Sequence, residues 1–172
     1  MLKIIGSVVV ILAGGLIGAT VARSYESRPR ELRELRSGLQ LLETEIIYGA
    51  TPLPDALERV AQSCRGSIGG LFGYASGKLY SREGYTAAEA WESALDRLSQ
   101  ITSLNSDDVA VLRKLGSFLG VSDQDDQEKH MRLLAEQMTH QIEKAENDAR
   151  VNVRLWRYLG ISSAVVVVMI LV

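Results

Sequence analysis

The chain has 172 residues, of which 47% are apolar, and a formal net charge of -2. That length suits one domain, and the interleaving of Arg with Glu leaves no basic footprint for nucleic acid. A single cysteine, Cys64, excludes an internal disulfide, and no Cys/His spacing suits a metal ion.

Residues Ile4 to Ala22 form an uncharged run, about the ~20 residues a helix needs to cross the hydrocarbon core. Lys3 and the loose Thr20-Val21-Ala22 site would also fit a cleaved signal peptide. Against that, the run exceeds the usual ~7 to 15 apolar residues, and Arg23, Arg28 and Arg30 follow it at once. We therefore read residues 1–22 as an N-terminal transmembrane helix. Within it Gly14 and Gly18, and one position along Gly15 and Ala19, have the small-x-x-x-small spacing that lets helices approach closely in lipid. These four are the candidate face for packing against a second span or another subunit.

Pro29 opens a helix whose Leu32, Leu35, Leu39, Leu42 and Ile46 fall on one stripe, with Arg30, Glu31, Arg33, Glu34 and Arg36 outward. Gly49 reads as its C-terminal cap, Thr51 as the next N-cap and Pro52 as the first helical position. Leu53, Leu57, Val60 and Cys64 make a second stripe, so the two segments read as an antiparallel hairpin. Ile68, Leu71, Phe72, Ala75 and Leu79 give a weaker third stripe. The five glycines from 66 to 77 mark it as the mobile or irregular part of the domain. Thr86 with Glu89 is a capping box for a helix burying Trp91, Ala94, Leu95 and Leu98. Asn105 or Ser106 caps the next, with Val109, Leu112, Leu115 and Leu119 inward and Gly120 at its end. Ser122 and Asp123 start the last helix, whose Met131, Leu134, Met138, Ile142, Ala145, Ala149, Val153 and Trp156 lead into an uncharged tail, Leu159 to Val172.

The tail reads as a second transmembrane helix, residues 157–172, with Trp156 and Tyr158 at the interface and Arg157 snorkelling. Basic residues follow the first span and precede the second, so both ends place residues 23–156 in the cytosol. The fold class expected is all-α: a cytosolic bundle of about six helices flanked by two membrane helices, each running without a break into the bundle.

Catalytic chemistry is hard to assemble. Gly73-Tyr74-Ala75-Ser76-Gly77-Lys78 is one residue short of a phosphate-binding loop, Leu79 replaces the magnesium-binding hydroxyl, and no strand precedes it. Asp123, Asp125, Asp126 and Glu128 lack the glycine and twelfth-position Glu of a calcium loop and suit a first helical turn. His130 and His140 lie ten residues apart on one helix, about 80° from each other around its axis, so they cannot share a metal. No Ser/His/Asp set forms. The sequence predicts a non-enzyme without cofactor or metal.

The stretch Glu45-Ile46-Ile47-Tyr48-Gly49-x-Thr51-Pro52-Leu53-x-Asp55-Ala56-Leu57 resembles the cytosolic helical domain of the type II secretion F family. Over the whole chain the layout resembles the stage III sporulation protein AB family of endospore-forming bacteria. Tyr25-x-x-Arg28-Pro29, Ala90-Trp91, Leu119-Gly120 with Asp123 after it, Gln127-x-x-His130 and the hydrophobic tail carry that likeness. The resemblance implies a non-enzymatic membrane component of the secretion-like channel between mother cell and forespore. It also implies a cytosolic secretion-type ATPase (stage III sporulation protein AA) and other membrane proteins of the complex as partners. Glu45, Tyr48, Gly49, Pro52 and Leu53 are the candidate contact for that ATPase, with a turn needed only for packing as the alternative. The other class of function is a membrane-tethered helical sensor or regulatory domain, which would need a cavity with convergent polar groups.

Overall fold

The computed structural model describes residues 2–81, 83–119 and 124–171; the side chains of 2–11, 124–125, 157, 160–161 and 163–171 lie outside the description. Helix α1 runs Leu2–Glu43 and passes into a π-helical turn, Thr44–Tyr48. Then follow α2 (Leu53–Ser63), α3 (Gly66–Tyr80), α4 (Ala87–Ser99), α5 (Ser106–Gly116) and α6 (Gln124–Leu171). The described residues are all-α, with six helices and no strand. They divide into two units: Met1–Pro29 with Glu143–Val172, and Arg30–Ile142.

In the Arg30–Ile142 unit most of the predicted stripe residues are the core, while Ile46, Leu53, Cys64 and Leu79 are only half-buried. Leu32, Leu35, Leu39 and Leu42 of α1, Leu57 and Val60 of α2, and Ile68, Leu71 and Phe72 of α3 are buried. So are Trp91, Ala94, Leu95 and Leu98 of α4 and Leu112 and Leu115 of α5. Burying such side chains stabilises by about 1.5–3 kcal/mol each. Phe72 and Trp91 sit at the centre with ring centroids 5.7 Å apart, and the Trp91 indole N–H donates to the Leu112 carbonyl at 2.8 Å. Helix α1 lies close to α3: a Cβ on Gly38 would fall 2.7 Å from Phe72 Cε2. Glutamates of α1 receive loop amides, Glu34 from Arg65 N–H at 2.6 Å and Glu31 from Ser103 N–H at 2.8 Å.

Local signals decide where α4 and α5 start. Thr86 and Glu89 form the predicted capping box, and Asn105, reciprocated by the buried Asp108, is the cap of α5. The segment expected to be irregular is instead the 15-residue helix α3. Gly66 takes φ +54° at its start, a conformation glycine adopts without a Cβ penalty. Gly69 faces the Ala61 and Cys64 carbonyls, where a Cβ would meet oxygens at 2.9 and 2.6 Å. Burial of Ile68, Leu71, Phe72 and Ala75 offsets the poor helix propensity of the remaining glycines.

In the other unit, Arg28 is buried and its guanidinium contacts the Asp148 carboxylate at 3.1 Å, tying α1 to α6. Pro29 lies inside α1 and does not open it. Gly18 and Ala22 are buried, Gly14, Gly15 and Ala19 are half-buried, and the bulkier Leu12, Leu16 and Ile17 are exposed. Among the described residues no helix is long and apolar enough to cross a membrane, so the two expected spans find no support there. The described side chains of α1 begin at Leu12, and Arg23 follows only eleven positions later, which leaves a short uncharged stretch. Gly120, Ser122 and Asp123, read as the end of one helix and the start of the next, lie outside the described residues.

Candidate docking site at the turn after the first helix

Helix α1 ends by widening. The Gly49 amide donates to the Thr44 carbonyl at 3.0 Å and the Thr51 amide to the Glu45 carbonyl at 2.9 Å, five and six residues back. Such widened turns recur at functional sites. Gly49 is not the left-handed cap that its residue type suggests. Its φ is -82°, and the left-handed residue is Ala50, φ 46°. Gly49 is required by proximity: a Cβ there would stand 2.7 Å from the Glu45 carbonyl oxygen. The left-handed Ala50 costs about 1–2 kcal/mol.

A carboxylate holds this turn closed. Glu45 Oε2 accepts from the Thr51 hydroxyl and from Arg59 of α2, both at 2.9 Å. Charge-assisted bonds of that kind offset the strain at Ala50. Thr51 is therefore a partner of Glu45, and Pro52, φ -54° and ψ 140°, takes the N-cap position of α2. The start of α2 is pinned further by α3. The buried Ser76 hydroxyl donates to the Pro54 carbonyl at 2.9 Å, and the Tyr80 hydroxyl donates to Asp55, which raises the Tyr80 pKa.

The outcome is a fixed turn with its aromatic residue outside. Tyr48 is 75% exposed, Gly49, Ala50 and Pro52 are exposed beside it, Leu53 is half-buried and Glu45 is turned inward as the latch. Of the five candidate contact residues, three present surface and two shape it. A Tyr ring on a preformed turn is the kind of anchor that carries binding energy between proteins. Arg59, fourteen residues from Glu45, had no local signal to reveal it.

Gly73 to Lys78 lies within α3, where backbone amides are used by the helix, and the Lys78 ammonium sits 3.9 Å over the Tyr85 ring. Among the described residues no group of three His, Cys, Asp or Glu side chains could hold a metal. His130 stacks on Phe118 at 4.8 Å and 17°, His140 is exposed, and Glu128 pairs with Arg132 at 3.0 Å. Asp126 is exposed; Asp123 and the Asp125 side chain lie outside the description.

Residues 3–172 match the family model described as stage III sporulation protein AB. The chain is 34% identical to stage III sporulation protein AB of Bacillus subtilis (strain 168) over 175 residues, 99% of each. It also superposes on a solved structure of stage III sporulation protein AB with a TM-score of 0.67 and 34% identity, covering 72% of this chain and 96% of that one. The chain belongs to the stage III sporulation protein AB family.

Proposed function

We propose that this chain, whose family name places it in sporulation, is a non-enzymatic membrane component of a secretion-like channel complex between mother cell and forespore. In that complex it serves as the platform for a cytosolic secretion-type ATPase, stage III sporulation protein AA, beside other membrane proteins. The observation that carries this reading is the latched turn: an exposed Tyr48 on a backbone held by Glu45, Thr51 and Arg59. A preformed surface of that kind suits docking.

Attachment to the membrane rests on the uncharged runs 4–22 and 159–172 and on the apolar side chains left open in the Met1–Pro29 and Glu143–Val172 unit. Leu12, Leu16, Ile17, Leu155, Tyr158 and Leu159 are exposed there, and each Leu or Ile gains about 1.5–3 kcal/mol on leaving water. The basic residues after the first run and before the second support a cytosolic position for residues 23–156, on the mother-cell side in this reading.

The test is binding of the full-length chain in detergent to the immobilised ATPase. Wild type binds; Tyr48→Ala loses about tenfold or more, the weight of a small anchor residue, and Pro52→Ala with Leu53→Asp loses more while helicity is unchanged. Failure of wild type to bind overturns the platform. Undiminished binding by both variants moves the contact away from this turn.

A further inference from the structure

The end of α5 and the first turns of α6 enclose a cup of about 380 Å³ in the Arg30–Ile142 unit. Lys114 and Phe118, four positions apart, form one wall. His130, Leu133, Leu134 and Gln137 form the other, and their spacing of three, four and seven puts them on one face of α6. Phe118 and Leu134 are buried and make an apolar floor. At the rim Leu133 is 46% exposed, with Lys114, His130 and Gln137 exposed beside it.

The rim states the chemistry of the occupant. The Lys114 ammonium donates to the Gln137 side-chain carbonyl at 3.4 Å and has no carboxylate partner among the described residues. Both side chains keep N–H groups to donate, since an ammonium carries three and an amide two. The His130 ring is held flat against Phe118, centroids 4.8 Å apart and planes 17° apart, and its nitrogens make no hydrogen bond among the described residues. No Asp or Glu lines the cup. On the same two helices Arg113 and Arg132 are by contrast paired, the first with Glu92 and Asp96 and the second with Glu128. An unmatched ammonium beside two further donors, above an apolar floor, selects an anion with an apolar body.

Size points to a small molecule. The volume falls among small-molecule sites of about 300–1,000 Å³, whereas a stable protein interface engages about 20–30 residues a side. We propose that the α5–α6 cup binds a small free carboxylic acid, its carboxylate on Lys114, His130 and Gln137 and its aromatic or branched apolar group on Phe118, Leu133 and Leu134. Stacking of His130 on Phe118 lowers the cost of fixing the imidazole in the complex. The inference does not depend on the ATPase reading, and none of Glu45, Tyr48, Gly49, Pro52 and Leu53 lines the cup. It gives the domain the cavity with convergent polar groups that a ligand-responsive role requires.

The experiment uses the full-length chain in detergent and saturation-transfer NMR with phenylacetate, phenylacetamide and phenethylamine, one skeleton carrying negative, no and positive charge. Phenylacetate binds, the amide binds about tenfold more weakly or worse, and the amine does not bind. Lys114→Gln weakens phenylacetate binding about tenfold, the loss of one charge-assisted contact. Leu133→Asp abolishes it, and Lys129→Gln, outside the cup, changes nothing. Lys114 and Leu133 are exposed, so both variants keep the helicity of wild type. Equal binding of acid and amide, or undiminished binding by a folded Lys114→Gln or Leu133→Asp variant, overturns the proposal. So does the absence of a phenylacetate signal at about 10 mM, where a ligand of about ten heavy atoms and ordinary efficiency binds. A peptide ending in a Phe carboxylate that binds about tenfold tighter than phenylacetate, and loses that gain on amidation, would make the occupant the end of a protein chain and overturn it equally.

Discussion

Substituting Gly38 tests the packing of α1 on α3, because helix propensity and packing pull the result in opposite directions. At a solvent-facing helical position Gly→Ala stabilises by about 1 kcal/mol. At Gly38 the new methyl would stand 2.7 Å from Phe72 Cε2, 3.0 Å from Phe72 Cζ and 3.0 Å from Cys64 Sγ. Phe72 is fully buried and braced by Trp91, so the ring cannot retreat without moving the centre of the core. Overpacking of this kind costs about 1–3 kcal/mol. Set against the propensity gain, Gly38→Ala is expected to destabilise by about 1 kcal/mol, a Tm roughly 2–4 °C lower for a chain of this size. Urea denaturation followed by circular dichroism reads it directly. In a Phe72→Leu background that also carries Cys64→Ala, where the crowding atoms are gone, the same Gly38→Ala change turns stabilising. A stabilising Gly38→Ala in the wild-type background, or no change of sign in the doubly substituted background, would refute the packing described here.

Three further outcomes follow from side chains in the same unit. Burial and the nearby Asp108 carboxylate raise the Glu31 pKa above its ordinary 4.5, against the lowering effect of the Ser103 amide. The folded state therefore holds that proton more tightly, and stability falls as pH rises from 4.5 through the raised value. Glu31→Gln, which keeps an acceptor for Ser103, removes this loss, so its stability relative to wild type grows between pH 4.5 and 7 in urea titrations. Burial, and secondarily Glu34, push the Cys64 thiol above its ordinary 9.0; Ellman's reagent at pH 8 reacts more slowly with the folded chain than with the chain in guanidinium, and Glu34→Gln speeds the folded reaction. Trp91→Phe removes the donor to the Leu112 carbonyl and leaves space beside it, a cost of about 2 kcal/mol in chemical denaturation.

What the sequence disclosed was local. The stripe Leu32, Leu35, Leu39, Leu42 and the Thr86–Glu89 box depend on spacing within one helix, and both stand as expected. The turn at Gly49 to Leu53 was located correctly, but neither the π-helical widening that precedes it nor the left-handed Ala50 was, because their latch includes Arg59, which arrives from the next helix. Helix α3 looked weak because glycine has two meanings that a sequence cannot separate. Gly69 is needed where backbones crowd it, and Gly70, one residue on, touches nothing. The proximity of Gly38 to Phe72 has no signature at all, since thirty-four positions separate the two and only the assembled helices bring them together.

We propose that both ends of the chain moor a cytosolic helical unit to the membrane, so that it acts as a fixed docking surface. Protease accessibility of the full-length chain in sporulating cells tests this most directly. Protease added outside intact protoplasts should leave residues 23–156 whole, and protease added to inside-out vesicles should digest them. Digestion from the outside, or recovery of the full-length chain in the soluble fraction without detergent, would contradict the claim.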